Sequence, residues 1–177
     1  MARYDSFGPF KLERVDGKVT RAALKKFWAE RKADSEGGLC GAVGVYVIAV
    51  QSRVGGEFKP WYVGRTDRLG FEDRFYGHEL LFRKILDEAK RGQLFIFLLG
   101  MRSPSGRVFR KVSRRDISHN DWLESTVIGS ALSKNSNLLN VSKTKKLKTL
   151  ILPGLLNTPR GRLTEEASAL KKMLHST

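Results

Sequence analysis

The feature that most constrains the fold of this chain is a nearly all-apolar run of nine residues, Gln93–Met101 (QLFIFLLGM). Its length and composition are typical of a central strand that is buried on both faces. A second run, Gly41–Val50 (GAVGVYVIAV), is rich in β-branched residues and predicts another strand. Neither run approaches the ~20 apolar residues that a membrane-spanning helix needs, so we expect both to lie in a sheet inside a folded domain.

Further strands and helices are predicted on both sides of these two runs. A turn at Gly55-Gly56 leads into a strand over Pro60–Arg65, which pairs with the strand before it as a hairpin. Glu72 to about Lys90 shows the apolar stripe of one amphipathic helix, and Asp121–Leu132 predicts another. Weaker patterns predict a Thr20-capped helix to about Ala33, a strand over Arg107–Val112, a helix over Thr164–Leu174 and irregular structure or a short strand within residues 1–18.

This order of elements predicts the fold class and the organisation of the chain. We expect an α/β (α+β) fold in which a small, mostly antiparallel central sheet is flanked by helices. The loop that contains Gly37-Gly38 predicts a boundary. Residues 1–36 are expected to form a helical appendage, residues 37–150 the core, and residues 151–177 a basic extension that ends in a helix.

The charge of the chain is strongly positive, because 33 Lys and Arg stand against 18 Asp and Glu, a net charge of +15. Residues 102–115 and 125–164 contain no acidic side chain at all. Such a surface attracts polyanions, and each contact to a phosphate adds affinity by releasing counterions. The predicted nucleic-acid contacts are Arg65, Arg68, Arg110, Lys111, Arg114, Arg115, Lys143, Lys145, Lys146 and Lys148. The alternative is a solvated basic face without a specific partner.

The cysteine content and the N-terminal sequence predict the cellular compartment. Cys40 is the single cysteine, so an internal disulfide and a cysteine metal site are excluded, and we expect this residue to be a buried core side chain. The first residues lack the apolar stretch of a secretory signal. We therefore expect a cytoplasmic protein that associates with nucleic acid and not with membranes.

Two tyrosines and an Arg–His pair are the first candidates for chemistry. Tyr46 and Tyr62 lie on the two strands of the predicted hairpin, where two phenols can face one pocket. Arg74 and His78 are four residues apart, so on a single helix they would share one face. An Arg at that position can hold a phosphate, and a neutral His can accept a proton. The alternative is structural: the two tyrosines pack in the core, and the Arg–His pair lies at the boundary between the apolar and polar faces of an amphipathic helix.

Glu124 is the remaining candidate, because it heads an apolar stripe that continues through Val127 and Ile128. A carboxylate that points towards a core is costly unless it is paired or binds a metal, and a hard divalent cation prefers oxygen ligands. The alternative is structural, since Asp121-x-x-Glu124 has the spacing of a helix capping box. The spacing alone favours neither interpretation.

Taken together and in order, these residues resemble the motif series of the GIY-YIG endonucleases. The matching positions are Gly44-Val45-Tyr46, Tyr62-Val63-Gly64, Arg74, His78, Glu124 and Asn140, and the resemblance spans Gly41 to Asn140. It departs from the family pattern in three ways. Val replaces Ile in both tripeptides, the connection between them is long, and Leu69-Gly70-Phe71 lengthens the tract before Arg74.

The resemblance implies a metal-dependent mechanism. Glu124 would hold one Mg²⁺ or Mn²⁺ on the scissile phosphate, and Tyr46 would be the general base, helped by His78 or Tyr62. Arg74 would neutralise the phosphate, and Asn140 would brace the site through hydrogen bonds. Arg65 stands where relatives often carry Lys, and as an arginine it would contact phosphate without acting as a base.

The function that the resemblance implies is a stand-alone DNA endonuclease, whose compact format resembles the restriction enzymes of the family. A double-strand cut would require a homodimer or two sequential nicks. Three alternatives remain open. These are a structure-specific repair or recombination nuclease, a non-catalytic nucleic-acid-binding protein on the same fold, and a basic scaffold or ribosome-associated protein.

Overall fold

The computed structural model describes residues 1–34, 38–114, 117–141, 143–144 and 163–175. The elements in chain order are β1 (Tyr4–Leu12), α1 (Arg21–Asp34), β2 (Gly44–Gln51), β3 (Phe58–Thr66), α2 (Phe71–Tyr76), α3 (Glu79–Ala89), β4 (Gln93–Met101), α4 (Ser118–Lys134) and α5 (Glu165–His175). The predicted contacts Arg115, Lys145, Lys146 and Lys148, and residues 151–162 of the predicted extension, lie outside the described residues. None of the helices in the described ranges combines the length and the apolar composition that a bilayer crossing needs.

The sheet has four strands in the order β1-β4-β2-β3, and every neighbouring pair is antiparallel. Helices flank it, so the predicted α+β class with a small antiparallel sheet is confirmed. The two apolar runs form the central strands β4 and β2, because a strand with neighbours on both edges loses most of its solvent contact. On β4, Leu94, Ile96 and Leu98 are fully buried, whereas the residues that alternate with them are partly buried.

Helices cover both faces of the sheet. One face carries Tyr46 and Ile48 and packs against α1, α2 and α3 through large side chains that include Trp28, Phe75 and Phe82. The other face carries Val45 and Val63 and packs against α4 through apolar side chains of that helix, namely Ile128, Ala131 and Leu132. Strand β3 therefore lies between the two layers at one edge of the sheet, and its side chains alternate between them.

The N-terminal segment belongs to this same core, although the sequence predicted an appendage there. Strand β1 pairs with β4 from Tyr4 opposite Met101 to Leu12 opposite Leu94, and its register shifts between Phe7 and Phe10. The side chains of α1 also enter the core, where Phe27 and Trp28 are buried. The mixed exposure of this edge strand and its bulge explain why its sequence does not alternate clearly.

Three local predictions are corrected by the structure. The single helix over residues 72–90 is two helices, α2 and α3, because the chain turns at Gly77 and His78 between them. The strand predicted over residues 107–112 is absent from the described fold, which has isolated bridges there instead. Helix α4 begins at Ser118 and not at Asp121, so Asp121 and Glu124 lie inside the helix and do not form a capping box, the structural alternative for Glu124.

Candidate active site

Tyr46 sits at the centre of the candidate site because its partner across the sheet is a glycine. Tyr46 on β2 lies opposite Gly64 on β3, and its side chain is fully buried. A Cβ atom at Gly64 would overlap the hydroxyl group of Tyr46 and would lie 2.8 Å from Cε1 of Tyr62. The missing side chain thus provides the space in which the two tyrosine rings lie, with centroids 6.2 Å apart.

This steric requirement makes Gly64→Ala a direct test of the packing around Tyr46. We expect it to lower the free energy of unfolding by about 1–3 kcal/mol, the usual cost of overpacking a core. Gly129→Ala on α4 is the matched control, because its added Cβ would meet no heavy atom within 4 Å. That change should stabilise the helix by up to about 1 kcal/mol. Chemical denaturation measures both, and equal stability of the two variants would contradict the arrangement.

Tyr46 and His78 form a buried hydrogen-bonded pair between the phenol oxygen and Nε2. The sequence predicted that His78 and Arg74 lie on one helix, but Arg74 lies on α2 and His78 is the N-cap residue of α3. The side chain of His78 is buried, with 7% of the residue exposed. Burial and the nearby charge of Arg74 lower the pKa of His78 to about 4, so its imidazole is neutral at pH 7. Neutral Nε2 can therefore accept the hydrogen that the phenol donates.

The pKa of Tyr46 is shifted away from the value that a general base needs at neutral pH. Burial raises the pKa of the Tyr46 phenol above its ordinary value, Tyr62 adds to the rise, and Arg74 opposes it. Burial also raises the pKa of Tyr62, again against the charge of Arg74. The phenols are accordingly protonated in the free protein, and a proton that leaves Tyr46 has His78 as its acceptor.

A cavity of about 400 Å³ opens beside this pair. Tyr62, Arg74 and Glu124 contribute to its wall, although they come from β3, α2 and α4. Tyr46 and His78 do not line the cavity but lie behind the ring of Tyr62, whose centroid is 6.2 Å from that of Tyr46 and 5.9 Å from that of His78. The full lining is Tyr62, Arg65, Thr66, Asp67, Arg68, Leu69, Arg74, Glu124 and Lys143.

Glu124 is a nearly buried carboxylate that is paired with cations. Its side chain is 12% exposed, and its Oε2 lies 2.7 Å from Nζ of Lys143 and 3.6 Å from Nε of Arg65. Nζ of Lys143 also lies 2.7 Å from Oδ1 of Asp121 and 3.1 Å from Oγ of Ser125. These pairs offset the cost of placing the carboxylate at the edge of the core.

The residues of the cavity suit a divalent cation that is shared with a substrate. Among the described residues, no three or more His, Cys, Asp or Glu side chains converge as a complete protein cage. Mg²⁺ commonly binds through one or two carboxylates and completes its shell with substrate phosphate and water. Glu124 supplies such a carboxylate, and the ammonium group of Lys143 would compete with a metal for its Oε2.

Asn140 acts on the backbone of β3 rather than on the cavity. Its Nδ2 donates to the carbonyl oxygen of Val63 at 2.6 Å, and its Oδ1 accepts from the N–H of Val63 at 2.9 Å. Leu139 adds a backbone hydrogen bond from its N–H to the carbonyl of Trp61 at 2.9 Å. The segment therefore clamps the open edge of β3 at the residue between Tyr62 and Gly64.

Two further polar residues belong to the site and were missed in the sequence. Asn120 is fully buried and donates from Nδ2 to Oδ1 of Asp67 at 2.5 Å and to the carbonyl of Thr66 at 3.2 Å. Asp67 is buried in the cavity wall. The spacing of Asn120 four residues before Glu124 on one helix was the available signal.

The predicted basic contacts fall into two groups. Arg65, Arg68 and Lys143 line the cavity, where Arg65 and Lys143 are already engaged by carboxylates. Arg110, Lys111 and Arg114 are exposed on the acid-free segment 102–114. The N–H of Ser113 donates to the carbonyl of Asp67 at 2.7 Å, and this bond ties the end of the basic segment to the cavity rim.

In comparisons with known proteins, no family model, no curated protein and no solved structure matches the chain.

Proposed function

We propose that this chain is a divalent-metal-dependent DNA endonuclease of the GIY-YIG type. The observation that carries the proposal is the convergence of Tyr62, Arg74 and Glu124 on one cavity, with the Tyr46–His78 pair behind it. Phosphodiester hydrolysis needs a proton acceptor, a cation for the phosphate and an oxygen ligand for a metal. Side chains of these three types meet there.

The proton acceptor is the tyrosine pair together with His78. Tyr62 faces the cavity, and the centroid of its ring lies 6.2 Å from that of Tyr46. The charge of Arg74 lowers the pKa of Tyr62 against the effect of burial. A water in the cavity gives its proton to Tyr62, Tyr62 passes its own to Tyr46, and Tyr46 passes its own to Nε2 of His78. The net result is a hydroxide at the phosphorus and an imidazolium at His78, whose charge the phosphate offsets.

The phosphate is held by the cationic wall of the cavity. Arg74 offers its planar guanidinium group to two phosphate oxygens, which neutralises charge that grows in the transition state. Arg68 and the exposed residues Arg110, Lys111 and Arg114 hold the flanking backbone. Glu124 would hold a divalent cation, which would supply further charge stabilisation to the phosphate.

The test is incubation of supercoiled plasmid with the protein and Mg²⁺ or Mn²⁺, with EDTA as the control. We expect nicked or linear DNA that depends on the metal, and a linear product without a nicked intermediate would indicate a homodimer. Supercoiled DNA that stays intact under both metals, while the protein still retards it in a gel, would support a non-catalytic binding protein. Sequenced ends at one short sequence would indicate restriction, and ends at flaps or junctions would indicate repair or recombination.

A further inference from the structure

A buried hydrogen-bond network connects the N-terminal strand to the wall of the cavity. The hydroxyl group of Tyr4 on β1 donates to Oδ1 of Asn120 at 2.6 Å. Nδ2 of the same asparagine donates to Oδ1 of Asp67 and to the carbonyl of Thr66. Asn120 is fully buried, so its amide is oriented by these partners and not by water.

Asp67 continues the network to the charged side chains of the cavity. Its Oδ2 lies 3.6 Å from Nη1 of Arg65. The guanidinium group of Arg65 in turn lies 3.0 Å from Oδ1 of Asp121 and 3.6 Å from Oε2 of Glu124. Arg65 therefore lies between Asp67 on one side and the carboxylates of α4 on the other, and its contact with Glu124 connects the network to that carboxylate.

Asn120 and Glu124 lie on the same helix, α4, so one element carries both of these residues of the network. Asn120 precedes Glu124 by four residues, so the two side chains lie one above the other on one face of the helix. A single helical turn thus carries both the anchor for Asp67 and the carboxylate that the proposed function assigns to the metal. Any rotation or shift of that turn would change both contacts together.

We propose that Asn120 and Asp67 are positioning residues, which hold Arg65 against Glu124 and so keep this carboxylate oriented towards the cavity. The inference rests on the proposed function, because it assigns the network a role in metal binding and cleavage. Groups that orient metal ligands in this way typically change metal affinity or activity 10–100-fold when they are removed.

The opposite end of α4 supplies a matched control. Asn135 is also buried, and its Nδ2 donates to the carbonyl of Pro60 on β3 at 2.8 Å. Its Oδ1 accepts from the N–H of Asn137 at 3.1 Å. Both asparagines thus join an end of α4 to the backbone of β3, but among the described contacts Asn120 reaches a charged residue of the cavity and Asn135 does not.

The experiment compares Asn120→Ala with Asn135→Ala in the full chain. We expect both variants to lose a similar amount of thermal stability. Asn120→Ala should also lose about 10–100-fold in kcat at unchanged KM for a DNA duplex. Its affinity for Mn²⁺, measured by titration calorimetry without DNA, should fall by about 10-fold, whereas Asn135→Ala should keep both values. Asp67→Asn, which keeps the size and loses the charge, serves if Asn120→Ala does not fold and should show the same losses.

The outcomes separate this inference from the proposed function. Equal kcat and Mn²⁺ affinity in the two asparagine variants, with an active wild-type protein, would overturn the positioning role and leave the nuclease proposal standing. A wild-type protein that binds Mn²⁺ but does not cut DNA would overturn the nuclease proposal. In that case the difference in Mn²⁺ affinity between the variants would still decide the positioning role.

Discussion

Glu124→Gln is expected to lower kcat for DNA cleavage by about 10³-fold, while DNA affinity measured in EDTA stays nearly unchanged. A metal ion on a phosphate supplies several kcal/mol of transition-state stabilisation, and each 1.36 kcal/mol changes the rate tenfold. The amide keeps the shape of the side chain but is a far weaker ligand for a hard cation. Loss of the carboxylate removes one partner of Lys143 and Arg65 but leaves both cations in place, so DNA binding without metal is not expected to weaken.

Asp121→Asn is the matched control for this experiment. Asp121 lies on the same helix and contacts the same two cations, with Oδ1 2.7 Å from Lys143 and 3.0 Å from Arg65. Its side chain is 52% exposed and does not line the cavity. We expect a loss of less than tenfold in kcat, because exposed ion pairs contribute at most about 1 kcal/mol. Equal losses for the two variants would assign the effect to the charge of α4 and not to a metal ligand.

Lys143→Met tests whether Lys143 competes with a metal ion for Glu124. The ammonium group of Lys143 is 2.7 Å from Oε2 of Glu124, so it competes with any cation for that oxygen. Its removal should strengthen Mn²⁺ binding by Glu124 in the absence of DNA, and titration calorimetry would detect the change. Weaker binding in this variant would place the metal away from Glu124.

Tyr46→Phe is expected to lower kcat by about 10²- to 10⁴-fold, the range of general acid–base catalysis. The variant removes the hydroxyl group that contacts Nε2 of His78, and with it the step of the proposed relay between Tyr62 and His78. It also leaves the buried Nε2 of His78 without its hydrogen bond, which should cost about 1–3 kcal/mol of stability. Activity therefore has to be compared at a temperature where both proteins are fully folded.

Tyr62→Phe and the pH profile distinguish the relay from simpler schemes. If the proton passes through both phenols, Tyr62→Phe should lose activity to a similar degree, whereas direct use of Tyr46 as the base predicts a mild effect. His78 accepts a proton only when its imidazole is neutral. The rate of cleavage should therefore fall as the pH drops through about 4, the pKa of His78. Folding stability that depends on neutral His78 is complete above about pH 6.5 and is lost as the pH falls towards 4.

The local sequence pattern was sufficient to predict the central strands and part of the site. The run Gln93–Met101 forms a strand with the predicted bounds, and Thr20 caps α1 through a hydrogen bond from the N–H of Ala23 at 3.1 Å. Both features depend on neighbours in the chain. The tyrosines, Arg74 and Glu124 were also identified in sequence, because their order resembles a known motif series. The structure places Tyr62, Arg74 and Glu124 in the wall of one cavity and Tyr46 behind that wall.

The sequence alone thus determined an antiparallel α+β domain with a basic surface, and it identified most of the side chains that line or support the cavity. The tertiary structure alone decided that β1 belongs to the sheet, that His78 reaches Tyr46 from a break between helices, and that Asn120 holds Asp67. The last contact joins residues 53 apart, and the bond from Tyr4 to Asn120 joins residues 116 apart. Hydrophobic periodicity reports on a few neighbouring residues, whereas hydrogen bonds and ion pairs depend on which distant side chains the packed layers bring together.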